Sequence, residues 1–301
     1  MSNIEITLEG GGVTDVFHNI WDQCEARGLM HIEGLEGWYG GVGSSVVPDI
    51  ERYRRHGRFP GRTIRGERKI TLTLTWIRSI FPSSDNAYTA FARMSSSIAW
   101  GEGPYRMTVN EDGFILSTDV QLDGEPIFQP LYPGSEAGFR IRIPLRAQDP
   151  FLYAPEAITT VTGYTKTPVQ LNNPYGHGLV NADGQQVMAW SMPSQTAEPI
   201  INDGTVDSWP TITVVGNSSG GAQLHLGGGS VYYAAPMYEQ APVVLDYYKG
   251  TATVNGRDAS YNLRRRDWRP IPPGTSLVPR LAFMSDSAYG YAEAANRSTF
   301  I

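Results

Sequence analysis

The sequence predicts a mainly β protein built from two domains. Apolar and polar residues alternate with a period of two along many short segments, which is the pattern of strands with one buried face. The 301 residues include 33 glycines and 21 prolines, a composition that suits many tight turns and disfavours a long helical bundle. At about 150 residues per domain, the length favours two domains.

Three segments of the first half carry the strand pattern most clearly. In residues 69–77 the even-numbered positions from 70 to 76 are apolar, and threonines occupy most of the opposite face. Residues 139–145 alternate in the same way, and Pro144 indicates a strand end or a sheet edge there. Residues 105–122 predict a hairpin, because Asn110-Glu111-Asp112-Gly113 is typical of its turn.

The clearest helix is predicted from about Ser84 to Trp100, inside the first half. Ser84 or Asp85 caps its first turn by accepting from free backbone N–H groups. Residues 15–26 predict a second, weaker helix. The helical stripe of the first segment consists of Ala87, Phe91, Met94 and Ile98.

The second half is predicted to be wholly β. A strong strand ends near Asp149-Pro150, so we expect domains at residues 1–150 and 151–301. Asn255-Gly256 signals a tight turn that leads into a strand at residues 259–263. The other predicted strands cover residues 211–215, 223–226, 231–233, 243–247 and 251–254.

Composition and charge exclude several classes of protein. The net charge of −6 gives no general reason to expect DNA or an anionic membrane as a partner. Cys24 is the only cysteine, which excludes internal disulfides and cysteine-based zinc sites. The N-terminus lacks a signal-peptide pattern, and no stretch approaches 18 apolar residues, so we expect a chain made in the cytoplasm that does not span a membrane.

Catalytic and metal-binding motifs are weak throughout. Gly216-Asn217-Ser218-Ser219-Gly220 matches the pattern of a nucleophile elbow, but a strand rather than a helix is predicted after it, which favours a hairpin loop. The five histidines show no metal-ligand spacing. Acidic pairs such as Glu33 with Glu36 or Asp203 with Asp207 are explained by surface charge. We therefore predict no catalytic residues, no metal site and no cofactor.

The strongest local anomaly is a basic segment at residues 51–69, which we call the arginine segment. Its net charge is +6, and arginine outnumbers lysine 21 to 3 in the whole chain. Three interpretations stay open: an arm that pairs with an acidic face of a neighbouring subunit, a track for a nucleic-acid backbone, and a solvated loop. The basic residues are Arg52, Arg54, Arg55, Arg58, Arg62, Arg65, Arg68 and Lys69.

Aromatic residues of the second half are a second candidate site. Exposed aromatic rings on a β-sandwich stack on sugars, although packing within the core and along hairpins explains most such residues. The candidates for glycan contact are Trp190, Trp209 and Trp268.

Turn motifs of the second half resemble a known family. The chain resembles the distal tail proteins (Dit) of long-tailed phages, most of all the minor tail proteins of actinobacterial phages. The first half fits more loosely, through Gly61-Arg62-Thr63 and the strands described above. The motifs are Asn202-Asp203-Gly204-Thr205 before the strand that starts at Trp209-Pro210, Asp246-Tyr247-Tyr248-Lys249-Gly250 before Asn255-Gly256, and Pro272-Pro273-Gly274.

The resemblance implies a fold and a structural role. Its N-terminal domain would be a tail-tube-like β-domain with one packed helix that forms a hexameric ring, and its C-terminal domain a galectin-like β-sandwich. The ring would join the tail tube to the tail-tip or hub protein, near the tape measure protein, in a virion assembled in the host cytoplasm. Nucleic acid is expected only as the genome passing through the ring. The alternatives are a carbohydrate-binding module and, less favoured, a phage hydrolase that uses Ser218.

Overall fold

The structure, a computed structural model, describes residues 2–27, 29–40, 50–51, 58–59, 65–77, 104–131, 138–165, 179–180, 186–188, 197–285 and 288–301. The chain divides into two compact units, Met1–Pro155 with Phe300–Ile301 and Glu156–Thr299. The helix predicted from Ser84 to Trp100 lies outside the described residues. No helix in the described ranges is long and apolar enough to cross a membrane.

The first unit contains eleven strands and one short helix among its described residues. The helix α1 spans Trp21–Arg27. The strands are β1 (Ile4–Gly10), β2 (Val13–His18), β3 (Met30–Glu36), β4 (Ile50–Glu51), β5 (Arg58–Phe59), β6 (Arg68–Ile77), β7 (Tyr105–Glu111), β8 (Phe114–Leu122), β9 (Ile127–Pro130), β10 (Gly138–Ala147) and β11 (Leu152–Tyr153).

Seven of these strands close into a barrel in the order β8-β7-β1-β2-β3-β6-β10. The ring closes because β10, after pairing along the length of β6, also pairs with β8 at Leu145 and Arg146. Strand β9 adds to β10, and β11 adds to β8. The only parallel neighbours among these barrel strands are β2 and β3, which α1 connects.

The barrel interior confirms the predicted alternation of β6 and β10. Ile70, Leu72, Leu74 and Trp76 are all at most 1% exposed, and they belong to one core cluster with the alternating apolar residues of β10. The hairpin at 105–122 is also confirmed, with a two-residue turn in which Asp112 (φ 50°) and Gly113 (φ 92°) are left-handed.

Two local predictions for the first unit need correction. Pro144 lies within β10 rather than at its end, and it is tolerated because the neighbour of β10 on one side changes there from β9 to β8. Residues 15–18 belong to β2, so the weaker helix occupies only 21–27. Pairing of β2 with β1 outweighs the helical tendency of those residues.

The second unit is a β-sandwich of two sheets, together with two separate two-stranded sheets. Its strands are β12 (Ala157–Thr165), β13 (Leu179–Val180), β14 (Gln186–Met188), β15 (Ile200–Asn202), β16 (Thr211–Asn217), β17 (Ala222–Leu226), β18 (Gly229–Tyr233), β19 (Val243–Asp246), β20 (Thr251–Val254), β21 (Arg257–Asp258), β22 (Leu263–Arg266), β23 (Thr275–Leu277), β24 (Arg280–Phe283) and β25 (Tyr289–Asn296). The last strand, β26 (Thr299–Phe300), ends in Phe300, which belongs to the first unit, and it adds to β11 in the sheet of that unit.

Strand β12 belongs to both sheets of the sandwich. One sheet has the order β21-β20-β19-β16-β25-β12, and the other has the order β12-β24-β17-β18-β22. Residues 157–162 pair antiparallel with β25, and residues 163–165 pair parallel with β24. At Gly163, where the partner changes, a Cβ atom would lie 2.2 Å from the Phe283 ring, so only glycine fits. Apolar side chains of both sheets form a single core cluster.

The turn at Asn255-Gly256 is confirmed, because both residues are left-handed (φ 49° and 75°). The strand predicted at 259–263 is wrong. Residues Ser260–Asn262 form a 3-10 turn, and the chain passes there from β21 at the edge of one sheet to β22 at the edge of the other. The Ser260 hydroxyl, bonded to Asp258 and to the backbone of Ala252, stabilises this bend.

Candidate functional site

The arginine segment begins as a short antiparallel pair of strands. Ile50 pairs with Phe59 and Glu51 with Arg58 across β4 and β5. The connection between these strands, and with it Arg52, Arg54 and Arg55, lies outside the described residues, as does Arg62. Within the segment, the structure describes the backbone of residues 51, 58 and 59 and all of residues 65–69.

Lys69 is exposed and belongs to a surface network of four charges. Its Nζ lies 3.7 Å from Glu67 and 3.6 Å from Asp123. Arg146 of the neighbouring strand approaches the same two carboxylates at 3.7 and 3.9 Å. Exposed pairs at such distances contribute little stability, so the network leaves Lys69 accessible to a partner. Arg65 is exposed as well.

Arg68, in contrast, is completely buried. It stands at the start of β6, between the ends of the two neighbouring strands, β3 and β10. Its guanidinium donates to the carbonyl of Trp38 at 2.6 Å and of Gly37 at 3.2 Å, which follow β3, and to the carbonyl of Pro150 at 2.8 Å, which follows β10. The structure therefore shows Arg68 tying three segments of the barrel together.

The environment of Arg68 is unusual for a charge. Burial, and then the charge of Arg65, lowers the pKa of the Arg68 guanidinium from its ordinary value. Its Nη2 atom has no hydrogen-bond partner among the described residues. Gly37 accompanies this arrangement, since its φ is +80° and a Cβ atom there would lie 1.9 Å from the carbonyl of Lys69.

A second polar cluster lies on the barrel surface. The carboxylate of Glu33 on β3 accepts from the guanidinium of Arg140 on β10 and, at 2.8 Å, from the hydroxyl of Thr75 on the intervening β6. Hydrogen bonds from Arg140 lower the pKa of Glu33 below its ordinary value. The cluster links three adjacent strands.

Among the described residues of the first unit, His18, His31 and Cys24 pack around α1. Trp21 stacks on His31 with ring centroids 3.8 Å apart, and burial lowers the pKa of both His18 and His31. Burial raises the pKa of the Cys24 thiol to about 11, so this thiol is a poor nucleophile at neutral pH. No group of three or more potential metal ligands occurs in the described parts of the chain.

Ser218 does not sit in a nucleophile elbow. Strand β17 follows it, as predicted, and its hydroxyl donates to the carbonyl of Gly221 at 2.7 Å. The predicted hairpin is wrong, however, because β16 and β17 belong to different sheets. Residues 218–221 are a connection that crosses the sandwich.

Three such crossings meet at one end of the sandwich. They connect β16 to β17, β18 to β19 and β24 to β25, and each passes between the two sheets. Together they surround an open recess of about 450 Å³. In the sequence, the run of small polar residues at 216–220 is the one indication of this recess, and it was interpreted as a hairpin loop instead. The recess is lined by Asn217, Ser218, Ser219, Pro236, Met237, Tyr238 and Ser285.

The predicted glycan-contact aromatics lie elsewhere. Trp209 is 38% exposed and meets the ring of Tyr248 edge-on, with centroids 6.4 Å apart. Trp268 is half-buried and packs edge-on against the buried ring of Tyr247, with centroids 5.0 Å apart. Trp190 is outside the described residues. A role of these residues in binding glycans stays a prediction.

The turn motifs of the second unit stabilise the fold. The buried amide of Asn202 donates to the carbonyls of Val206 and Ile271 and accepts from Gly204, so one side chain fixes the whole turn. A Cβ atom on Gly204 would lie 2.0 Å from the carbonyl of Thr299. This motif of the family resemblance is therefore structural.

Comparison of the whole chain with solved structures decides the fold. The crystal structure of the phage SPP1 Dit protein (gp 19.1) superposes with a TM-score of 0.60 at 11% identity, over 98% of this chain and 99% of the Dit chain. The chain has the Dit fold. Dit of SPP1 is described as a paradigm of the hub of the adsorption apparatus in phages that infect Gram-positive bacteria.

Two further structures have lower similarity to this chain. They are chains of the phage P2 baseplate in its activated conformation with Ca and with Sr, with TM-scores of 0.47 and 0.45, each at 11% identity. They cover 99% and 97% of this chain and 98% of their own chains. No family model and no curated protein sequence matches. The Dit fold confirms the mainly β class predicted from the sequence, a β-domain followed by a β-sandwich.

Proposed function

We propose that the chain is a structural subunit of a phage tail. It acts as a distal tail or baseplate hub protein, forms a hexameric ring through residues 1–150, and joins the tail tube to the tail-tip proteins. The observation that carries the proposal is the shared fold with SPP1 Dit over the full length of both chains. The turn motifs of the second unit point to the same family independently of the superposition.

The charge distribution supports a contact between copies through the arginine segment. With Arg68 buried in the barrel, the other residues of the segment carry +5, whereas the residues outside the segment together carry −12. A basic arm and an acidic remainder in the same chain are complementary between neighbouring copies, and cyclic symmetry repeats that contact around a ring. Strands β4 and β5 give the arm a hairpin base.

The role we propose is non-enzymatic. The Ser218 hydroxyl donates its hydrogen bond to a backbone carbonyl, and the only thiol, that of Cys24, is buried and has a raised pKa. Residues 151–301 form the outward, galectin-like sandwich of the proposal. The partners we assign are the tail tube protein, the tail-tip hub protein and the tape measure protein, within a virion assembled in the host cytoplasm.

The test replaces the basic side chains of the arm. Arg54, Arg55 and Arg58 are changed together to Gln, and the mass of the full chain is measured by light scattering between 50 and 500 mM salt (about 14 and 4 Å screening length). We expect the unmodified chain to form a hexamer that weakens as salt rises, and the triple variant to be mainly dissociated even at low salt, because the charge complementarity is removed.

A matched control removes the same charge elsewhere. Arg142, Arg257 and Arg280 are exposed outside the arm, and their change to Gln is expected to leave the hexamer intact. If the triple arm variant forms the same hexamer at every salt concentration, the arginine segment does not hold neighbouring copies together. A chain that stays monomeric without substitution, also when imaged by negative stain, would contradict the ring itself.

A further inference from the structure

We propose that the recess between the three sheet-crossing connections of the second unit binds a neutral saccharide. The inference is independent of the ring and of the arginine segment. It rests on the rigidity of the recess, on its combination of apolar and polar lining, and on its charge.

The recess is formed before any ligand arrives. The backbones of Ser218 and Met237 exchange two hydrogen bonds, of 3.1 and 2.8 Å, which fix the first crossing to the second. The N–H of Met284 donates to the carbonyl of Gly221 at 3.0 Å, which fixes the first crossing to the third. Since the walls are already held in place, a ligand loses little free energy to the ordering of loops.

The lining has an apolar wall and a polar rim. Met237 is 3% exposed and forms an apolar floor, while the ring of Tyr238 is 61% exposed beside Pro236. Asn217, Ser219 and Ser285 add polar side chains to the lining, and the Ser285 hydroxyl is hydrogen-bonded to that of Ser218 at 3.1 Å. A pyranose has the matching shape, with an apolar C–H face that packs on an aromatic ring and hydroxyls around its edge.

Asn217 is held in one orientation at the rim. Its Oδ1 accepts from the N–H of Glu239 at 3.2 Å, and its Nδ2 donates to the hydroxyl of Tyr289 at 2.5 Å. One N–H of the amide therefore remains for a ligand hydroxyl. The carboxylate of Glu239, 3.5 Å from the same tyrosine hydroxyl, supplies a strong acceptor next to it.

Charge and volume narrow the ligand class. None of the lining residues that the structure describes is charged, and Glu239 beside the recess is negative, so phosphorylated, sulfated or sialylated ligands meet repulsion without a compensating cation from these residues. About 450 Å³ lies within the range of 300–1,000 Å³ that small-ligand sites occupy. A neutral saccharide fits both limits.

The experiment presents the full chain to an array of neutral, sialylated and sulfated oligosaccharides, and then titrates the best neutral binder by calorimetry. We expect binding to neutral members and a loss of at least about ten-fold in affinity for Tyr238→Ala, since the stacking surface is removed. Tyr261→Ala is the matched control, because Tyr261 is 77% exposed and lines a separate recess. The affinity of this variant for the saccharide should stay within about two-fold of that of the unmodified chain.

A spectroscopic measurement places the ligand without relying on a variant. In the unmodified chain with labelled methionine methyl groups, saturating saccharide should shift the resonance of Met237 at the floor of the recess. Absence of binding to every neutral oligosaccharide, preferential binding of acidic ones, an unshifted Met237 methyl, or equal loss in Tyr261→Ala would each overturn the proposal. A failed ring assay leaves these outcomes unaffected.

Discussion

Removal of the Arg68 guanidinium should destabilise the first unit strongly. Arg68→Met keeps an unbranched apolar stem but removes the guanidinium, and it leaves three carbonyls, those of Gly37, Trp38 and Pro150, without their donor in a fully buried position. A hydrogen bond from a charged group contributes about 1.5–3 kcal/mol, so the two bonds of 2.6 and 2.8 Å are worth about 3–6 kcal/mol.

Part of this lost hydrogen-bond energy is offset, because folding of the variant no longer requires the burial of a charged guanidinium. We therefore expect a net loss of about 3 kcal/mol, which for a unit of this size lowers Tm by about 6–12 °C. Scanning calorimetry of the full chain measures it, with Arg142→Met as the control, since Arg142 is exposed on the adjoining strand β10. A difference of less than about 0.5 kcal/mol between the two variants would refute the assignment of Arg68 as a structural anchor.

Two further predictions concern the first unit. Gly37→Ala should lower the free energy of unfolding by about 3 kcal/mol or more, because its Cβ would lie 1.9 Å from a backbone carbonyl oxygen. Gly113 is equally left-handed but has open space around it, so Gly113→Ala should lower the free energy of unfolding by only about 1–2 kcal/mol. Equal losses for the two variants in urea unfolding would argue against the close approach at Gly37. The pKa of Glu33 is lowered in the folded state by Arg140, so its stabilising contribution is present above the ordinary carboxyl pKa and disappears as pH falls through the lowered value. The stability difference between the unmodified chain and Glu33→Gln should accordingly be largest near neutral pH and shrink in acid, and a difference independent of pH would contradict the ion pair.

Strands and turns were predictable because their determinants are local. In β6 the alternation of buried aliphatic residues with threonine follows from the two-residue period of an extended chain. The turns at Asp112-Gly113 and Asn255-Gly256 need left-handed residues, and these residue types adopt that conformation readily. Each of these signals is complete within a few positions of sequence.

Predictions that failed depend on contacts between distant segments. Pro144 is tolerated inside β10 because two different strands adjoin it, and residues 15–18 extend because β1 pairs with them. The connection at 218–221 looks like a hairpin until the sheet membership of β16 and β17 is known. The buried state of Arg68 was equally hidden, since its three acceptors lie about 30 and 80 positions away.

The recess was likewise not predictable from the sequence, because its residues come from distant segments. Asn217, Tyr238 and Ser285 are spread over almost 70 positions, and only the crossing of three connections at one end of the sandwich brings them together. Composition had directed attention to tryptophans instead, of which Trp209 and Trp268 pack against neighbouring tyrosines.

The sharing of β12 between both sheets also determines where the sandwich is vulnerable to aggregation. With one side closed by that strand, the only open edges of the two joined sheets, among the described strands, are β21 and β22. Strand β21 is only two residues long, and β22 exposes Arg264, Arg265 and Arg266 in succession. Like charges on such an edge repel the same edge of another molecule. Sandwiches crowded together at high concentration therefore cannot easily extend one another's sheets.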